Sequence, residues 1–274
     1  MKYAFLDADF VMKAHTIRKD NTNLLIDQIL NKEGYQFCCH LQTLQEIKNH
    51  NKSTYNWYQE QIRINRVSLY SDRQILQELK EHFRNEGFSL YSYTDLLKKA
   101  CNCFSCEYFM KHFGKLDELD YNQLETEEYL RILQNLENAI GKGKSLGEIK
   151  TYILMSWLSI KTGEQLLFFC SDDSGARNGT LAMKDICVQC FTIMSSFYWL
   201  FKEDHFDEPE ARPYLQSMIR FNNDAGVQTL RLRNSSQKNK CISVEFKAVI
   251  EDLYNGRLQL APDGWLIRQG KFRS

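Results

Sequence analysis

Two short apolar runs, each ended by carboxylates, constrain the fold of this chain more than any other feature. Tyr3-Ala4-Phe5-Leu6 ends in Asp7, and Leu166-Leu167-Phe168-Phe169-Cys170 ends in Ser171-Asp172-Asp173. Apolar runs of this length, bounded by polar residues, read as strands buried on both faces, the kind found in parallel sheets. A carboxylate just past such a strand stands at its carboxyl end, where open α/β sheets bind ligands. Side by side, the two strands would gather three carboxylates, and like charges converge only around something positive. A divalent cation meets that need.

The rest of the first 200 residues alternates in the same sense. Strand 3–8 is followed by a helical stretch from about Asn21 to Leu30, which Gly34 stops. A second strand spans Tyr35–Cys39, and helices over 41–47 and 53–63 follow it. A third strand is predicted at Arg66–Tyr70, then a helix over 72–86 ended by Gly87. From Asp95 to about Asn138 the pattern is helical and acidic. Helix 146–160 is stopped by Gly163, and strand 166–170, helix 175–184 and strand 186–191 complete the alternation. Strands alternating with helices imply a parallel sheet covered by helices. The expected fold class is therefore α/β, a parallel sheet flanked by helices.

The last 70 residues differ. From Ala211 to Ser274 eleven basic residues (Arg212, Arg220, Arg231, Arg233, Lys238, Lys240, Lys247, Arg257, Arg268, Lys271 and Arg273) face five acidic ones (Asp224, Glu245, Glu251, Asp252 and Asp263). With Phe221, Trp265 and Phe272 interleaved, this extension has the means to track phosphates and stack bases; a solvated face explains the same charges. A helix is expected over 243–254, with turns at Asn255-Gly256 and Pro262-Asp263-Gly264. Over the whole chain 35 basic residues balance 35 acidic ones, so net charge selects no partner. Nine cysteines, several within apolar runs, suit reduced thiols in a cytoplasm. The first apolar run carries Asp7 and Asp9, which is unlike a signal peptide, and no run is long enough to span a membrane.

Each acid also has an ordinary structural reading. Asp7 suits a helix N-cap. Asp9, two residues on along an extended chain, would point the same way, either touching a metal through water or serving as polar filler, the favoured reading. Glu46 lies about one turn past the second strand, where a solvated helix face accounts for it equally well. Ser145-Leu146-Gly147-Glu148 reads as a capping box, with Glu148 reaching back to the helix start. Asp172 or Asp173 would cap the helix after the strand.

Taken in order, these stretches resemble the PIN-domain nucleases. Tyr3–Val11 resembles that family's opening strand, Leu146–Thr151 its third-acid helix, and Leu167–Arg177, with paired aspartates and a following Ala-Arg, its fourth-acid strand. Ile186–Leu200 resembles its last strand and helix, and Glu46 falls where the second acid is expected. Asp9 stands in place of the usual Asn, and residues 205–274 have no counterpart. The resemblance implies a PIN-like nuclease domain over 1–204, a Rossmann-like sheet with a helical insertion at about 95–140, and a basic C-terminal extension over 205–274. It implies an acidic pocket binding Mg²⁺ or Mn²⁺ through Asp7, Glu46, Glu148, Asp172 and Asp173, and endoribonuclease activity carried by Asp7, Glu148, Asp172 and Asp173. Arg177 and Asp9 would meet the substrate. Single-stranded or structured RNA is the expected partner, with single-stranded DNA the substrate of a related 5′-nuclease reading. A catalytically inactive module binding RNA or protein is the rival from outside enzymes. A toxin held by a small antitoxin protein is a further reading, and oligomerisation is left open.

Cys101-Asn102-Cys103-Phe104-Ser105-Cys106 with His112 would supply four zinc ligands, but the spacing matches no standard site, and packing within a helix is the favoured account. Cys187 and Cys190 fall in a strand, where their side chains diverge and redox work is not expected.

Overall fold

The computed structural model describes residues 1–105, 107–140, 145–183, 186–204, 206–222, 229–235 and 240–269. The expectations for Cys106, for the side chains of Arg220 and Phe221, and for Asp224, Lys238, Lys271, Phe272 and Arg273 lie outside that description.

In chain order the elements are β1 (Lys2–Leu6), α1 (Ala8–Thr16), α2 (Leu25–Leu30), β2 (Tyr35–His40), α3 (Leu41–His50), α4 (Lys52–Arg63), β3 (Val67–Tyr70), α5 (Asp72–Phe83), α6 (Glu86–Phe104), α7 (Tyr108–Phe113), α8 (Thr126–Ile140), α9 (Leu146–Thr162), β4 (Leu166–Cys170), α10 (Ser174–Leu181), β5 (Cys187–Phe191) and α11 (Ile193–Asp204). They are followed by α12 (Glu208–Asn222), β6 (Thr229–Asn234), β7 (Lys240–Glu245), α13 (Phe246–Tyr254), β8 (Leu258–Leu260) and β9 (Leu266–Arg268).

The first five strands form one sheet in the order β3-β2-β1-β4-β5, all pairs parallel. The α/β class with a parallel sheet flanked by helices is thus observed. Strand pleating sends alternate residues to opposite faces. Ala4, Leu6, Phe37, Cys39, Phe168 and Cys170 enter one core with α1, α2 and α11; Phe5, Cys38, Leu167 and Phe169 enter the other with α5, α6 and α9. Burial on both sides explains why these strands read as continuous apolar runs rather than alternating ones. The order reverses between β1 and β4, so Asp7 and the Ser171–Asp173 turn leave the sheet side by side at its switch point. The backbone N–H of Asp7 donates to the Cys170 carbonyl at 3.0 Å, extending the β1–β4 ladder to the site itself.

Several expectations change. Strand 1 ends at Leu6, and α1 begins at once, so Asp9 sits in a first helical turn rather than on an extended chain. Gly87 does not stop α5; Arg84 does, in the left-handed conformation (φ 54°), and Gly87 belongs to α6. Gly163 ends α9 as expected, at φ 71°. Segment 243–254 divides into the end of β7 and α13.

The C-terminal region folds into a second sheet, β7-β6-β9-β8, with only β6 and β9 parallel. Its Tyr214, Leu215, Leu232, Val244, Val249 and Ile250 share one core with Phe10, Ile26 and Trp199 of the first region. Its 261–264 turn covers the open edge of β5, where Cys190 N–H donates to the Pro262 carbonyl at 2.8 Å. The basic excess is partly consumed within the tail: Arg233 pairs with Asp263 at 2.7 Å, Arg257 reaches buried Asp252 at 3.5 Å, and Arg268 also pairs with Asp252. Among the described residues no helix is long and apolar enough to cross a membrane.

Candidate active site

A cleft of about 1020 Å³ opens at the carboxyl edge of the sheet. Asp7, Asp9, Glu46, Glu148 and Asp173 all line it, so five of the carboxylates singled out in the sequence meet in one place. Asp172 and Arg177 are not on its wall.

Asp7 is the N-cap of α1, and its Oδ1 accepts from the Ala8 N–H at 2.8 Å. Its Oδ2 accepts from the Ser171 hydroxyl at 2.7 Å, while Ser171 Oγ accepts from the Asp173 N–H at 3.1 Å. Ser171, fully buried, thus ties the ends of β1 and β4 together and orients Asp7. Burial pushes the Asp7 carboxyl up to about 7; the Ser171 hydrogen bond opposes this, and the charges of Glu148, Glu46 and Asp9 add to it.

Glu46, in the middle of α3, reaches across to α9 and accepts from the Gly147 N–H. It therefore caps α9 from another helix. Burial, then the charge of Glu148, push its carboxyl up to about 7 against the hydrogen bonds from Gln42 and Gly147. The expected capping box does not form. Ser145 has φ 51° and makes no side-chain cap, and of the first-turn N–H groups Gly147 is served by Glu46 instead. Glu148 is left facing the cleft, its carboxyl raised by burial against the pull of its own N–H and further raised by Asp173. Asp173 caps α10 through the Ala176 N–H at 3.0 Å and remains exposed on the cleft wall.

Gly147 is a close approach. A Cβ there would lie 2.6 Å from Glu46 Oε1. Gly147→Ala is therefore expected to swing Glu46 off the α9 cap, which is cheap because the carboxylate ends a flexible side chain. Mn²⁺ affinity by titration calorimetry should fall several-fold, with Tm shifted by only a few degrees. Unchanged affinity would remove Glu46 from the site.

Asp172 is used elsewhere. Its Oδ1 accepts from the Ile193 N–H at 2.7 Å, at the start of α11, and its Oδ2 pairs with Lys13 at 3.1 Å. Lys13 also holds Asp9 at 2.9 Å. Arg177 is 3% exposed and donates to the Asp263 carbonyl at 2.8 Å and the Ser171 carbonyl at 2.9 Å. It clamps the tail to the end of β4 and does not face the acidic cleft.

One wall of the cleft carries residues that the sequence did not single out: His40, Asp72 and Glu137. Behind them the Lys150 ammonium, 1% exposed, lies 2.8 Å from Asp72, pairs with Glu137, and donates to the Tyr93 hydroxyl at 3.2 Å. His40 Nε2 is 3.2 Å from Asp72, and its Nδ1 accepts from the Gln42 N–H at 3.1 Å, which places the ring proton on Nε2. A lysine inside the buried run Ile149–Leu158 was the available signal, since a charge there requires partners.

Cys101 is buried in α6 and Cys103 half-buried beside it. Among the described residues no three or more His, Cys, Asp or Glu side chains form a ready-made ligand set, at this motif or at the cleft. Comparison with protein-family models, with curated proteins and with solved structures finds no match.

Proposed function

We propose that the chain is a divalent-metal-dependent phosphodiesterase of the PIN-like kind that cuts RNA internally at the acidic cleft. One observation carries the reading: Asp7, Glu46, Glu148 and Asp173, from four separate stretches of chain, face one cleft at the switch point of a parallel sheet. Burial first, and then the neighbouring acids, raise the carboxyls of Asp7, Glu46 and Glu148, which gives the native state a reason to take up positive charge.

The donors fit Mg²⁺ or Mn²⁺ by charge and by their oxygen chemistry. Mg²⁺ is bound through one or two carboxylates, several waters and substrate phosphate, so a ready-made set of three protein ligands is not required. Asp7, Glu148 and Asp173 would hold it, with Glu46 beside them. When bound, the ion supplies Lewis acidity at the phosphodiester and lowers the cost of bringing an anion into an acidic cleft. Ser171 fixes the rotamer of Asp7, and Gly147 N–H fixes that of Glu46. Asp172, committed to Ile193 and Lys13, stays outside the set and shapes the turn that presents Asp173.

The test is a labelled single-stranded RNA with Mn²⁺ or with EDTA. Internal cuts are expected only with Mn²⁺, and Glu148→Gln should lose them. Wild-type protein inert on both RNA and single-stranded DNA would leave a binding module instead.

A further inference from the structure

A second cleft, of about 550 Å³, lies on the other side of the same turn. Asp173 lines the acidic cleft and Asp172 the second one, so a single step of chain separates them. Lys13 is the post between them, holding Asp9 on one side and Asp172 on the other.

The second cleft has the opposite chemistry. Lys13, Arg177 and Arg231 bring three cations, and Asp172 is the one acid on its wall among the described residues. Met194, Met218 and Trp265 contribute polarizable and aromatic surface. Arg177 is buried and held by two carbonyls, so its position is fixed. Arg231 is exposed on β6 and makes no ion pair among the described residues. The half-buried Trp265 is braced by the Arg233 guanidinium, 5.1 Å from the ring centroid, and Arg233 is itself pinned by Asp263 at 2.7 Å.

A bare phosphate would need no thioethers or indole, and an apolar peptide would need no three cations. A nucleobase carried on a phosphate uses both. Its size suits the cleft, which falls in the range of small-ligand sites. A base already paired in a duplex is not free to stack on a side chain, so the strand must be single.

Resting on the phosphodiesterase reading, we infer that this cleft is a subsite for one nucleotide of single-stranded RNA next to the scissile phosphate. The base stacks on Trp265, and its phosphate lies between Lys13 and Arg231. The tail then acts as the part of the enzyme that selects unpaired substrate, rather than as a separate basic strip.

Binding of a labelled decauridylate, followed by fluorescence anisotropy in EDTA, tests this without turnover. Trp265→Ala should weaken binding about ten-fold, within the range for losing one stacked base, and Trp265→Phe should restore most of it. Arg231→Glu, at an exposed position that does not threaten folding, should also weaken binding and flatten its salt dependence. Wild-type-like affinity in both Trp265→Ala and Arg231→Glu would overturn the subsite, as would wild type that fails to bind the oligomer. The two readings fail separately. Binding lost in these variants with no cutting in Mn²⁺ keeps the subsite and removes the nuclease; cutting with unchanged binding in the variants does the reverse.

Discussion

Asp7→Asn is expected to lower Mn²⁺-dependent RNA cleavage at least about a hundredfold and, in EDTA at pH 8, to raise Tm. Both effects follow from one circumstance: the carboxylate is held where burial and three neighbouring acids disfavour its charge. Its native pKa of about 7 lies well above the value of ~3.9 in an unfolded chain. Between roughly pH 4 and 7 the folded state therefore binds a proton that the unfolded state does not, and stability falls as pH rises through that window. By pH 8 the penalty is complete. Asn has no charge to bury, keeps an oxygen for the Ala8 N–H, and offers Ser171 an amide donor in place of an acceptor. After allowance for solvent screening the gain is ~1 kcal/mol, about 2–4 °C for a chain of this size. The gap between variant and wild type should close near pH 4. Adding Mn²⁺ at pH 8 should raise the Tm of wild type and leave the variant unmoved. Thermal scans at pH 4 and 8, with and without Mn²⁺, read all of this. A variant less stable than wild type at pH 8 would mean that the hydrogen bonds of Asp7 to Ala8 and Ser171 outweigh its buried charge, and that lost activity reports lost structure.

What could be read in the sequence, and what could not, divides along the range of the interactions. The strands β1, β4 and β5 announce themselves because burial on both faces demands unbroken apolar residues. Asp7, Glu148 and Asp173 were legible because they follow such strands or open a helix beside them. The choice between Asp172 and Asp173 was not, since it depends on Lys13 and the Ile193 N–H, 159 and 21 residues from Asp172. The α1 helix was hidden by the strand before it, which runs directly into its first turn. Ser145-Leu146-Gly147-Glu148 has the pattern of a capping box, yet a side chain from another helix fills the role, and no local pattern records that. The second sheet was illegible for a plainer reason: β8 and β9 have three residues each, too few for any period, and β9 pairs with β6 across the intervening β7, α13 and β8.

Lys150→Met is expected to be the most damaging single substitution of a polar residue in the chain, costing ~3–5 kcal/mol or about 10 °C in Tm. The lysine is fully enclosed, and burial alone would drive off its proton; Asp72 and Glu137 more than offset this and hold it charged. Asp72 is half-buried on the cleft wall, which favours its neutral form, yet Lys150 and His40 pull its carboxyl below the usual range. Removing the ammonium leaves two half-buried carboxylates on the cleft wall without their shared cation, and only Asp72 keeps a donor, the Tyr93 hydroxyl. The expense comes from the orphaned charges rather than from the pair's own worth, so Asp72→Asn/Lys150→Met/Glu137→Gln should recover much of the loss. An exposed pair supplies the contrast: Arg73 and Glu127 lie at 61% and 60% exposure, and Arg73→Ala should leave the urea midpoint close to that of wild type. Urea titrations of the four proteins decide the matter, and Lys150→Met no worse than Arg73→Ala would show that the buried charges do not hold the fold together. The consequence for the site is direct. Glu137 sits on α8, Lys150 on α9 two residues from Glu148, and Asp72 at the start of α5. The network adds a polar tie between α8 and the helix that carries a cleft acid, beside the apolar core the two share. Without it, Asp72 and Glu137 lose the cation they share, two residues from the Glu148 on which the proposed chemistry depends.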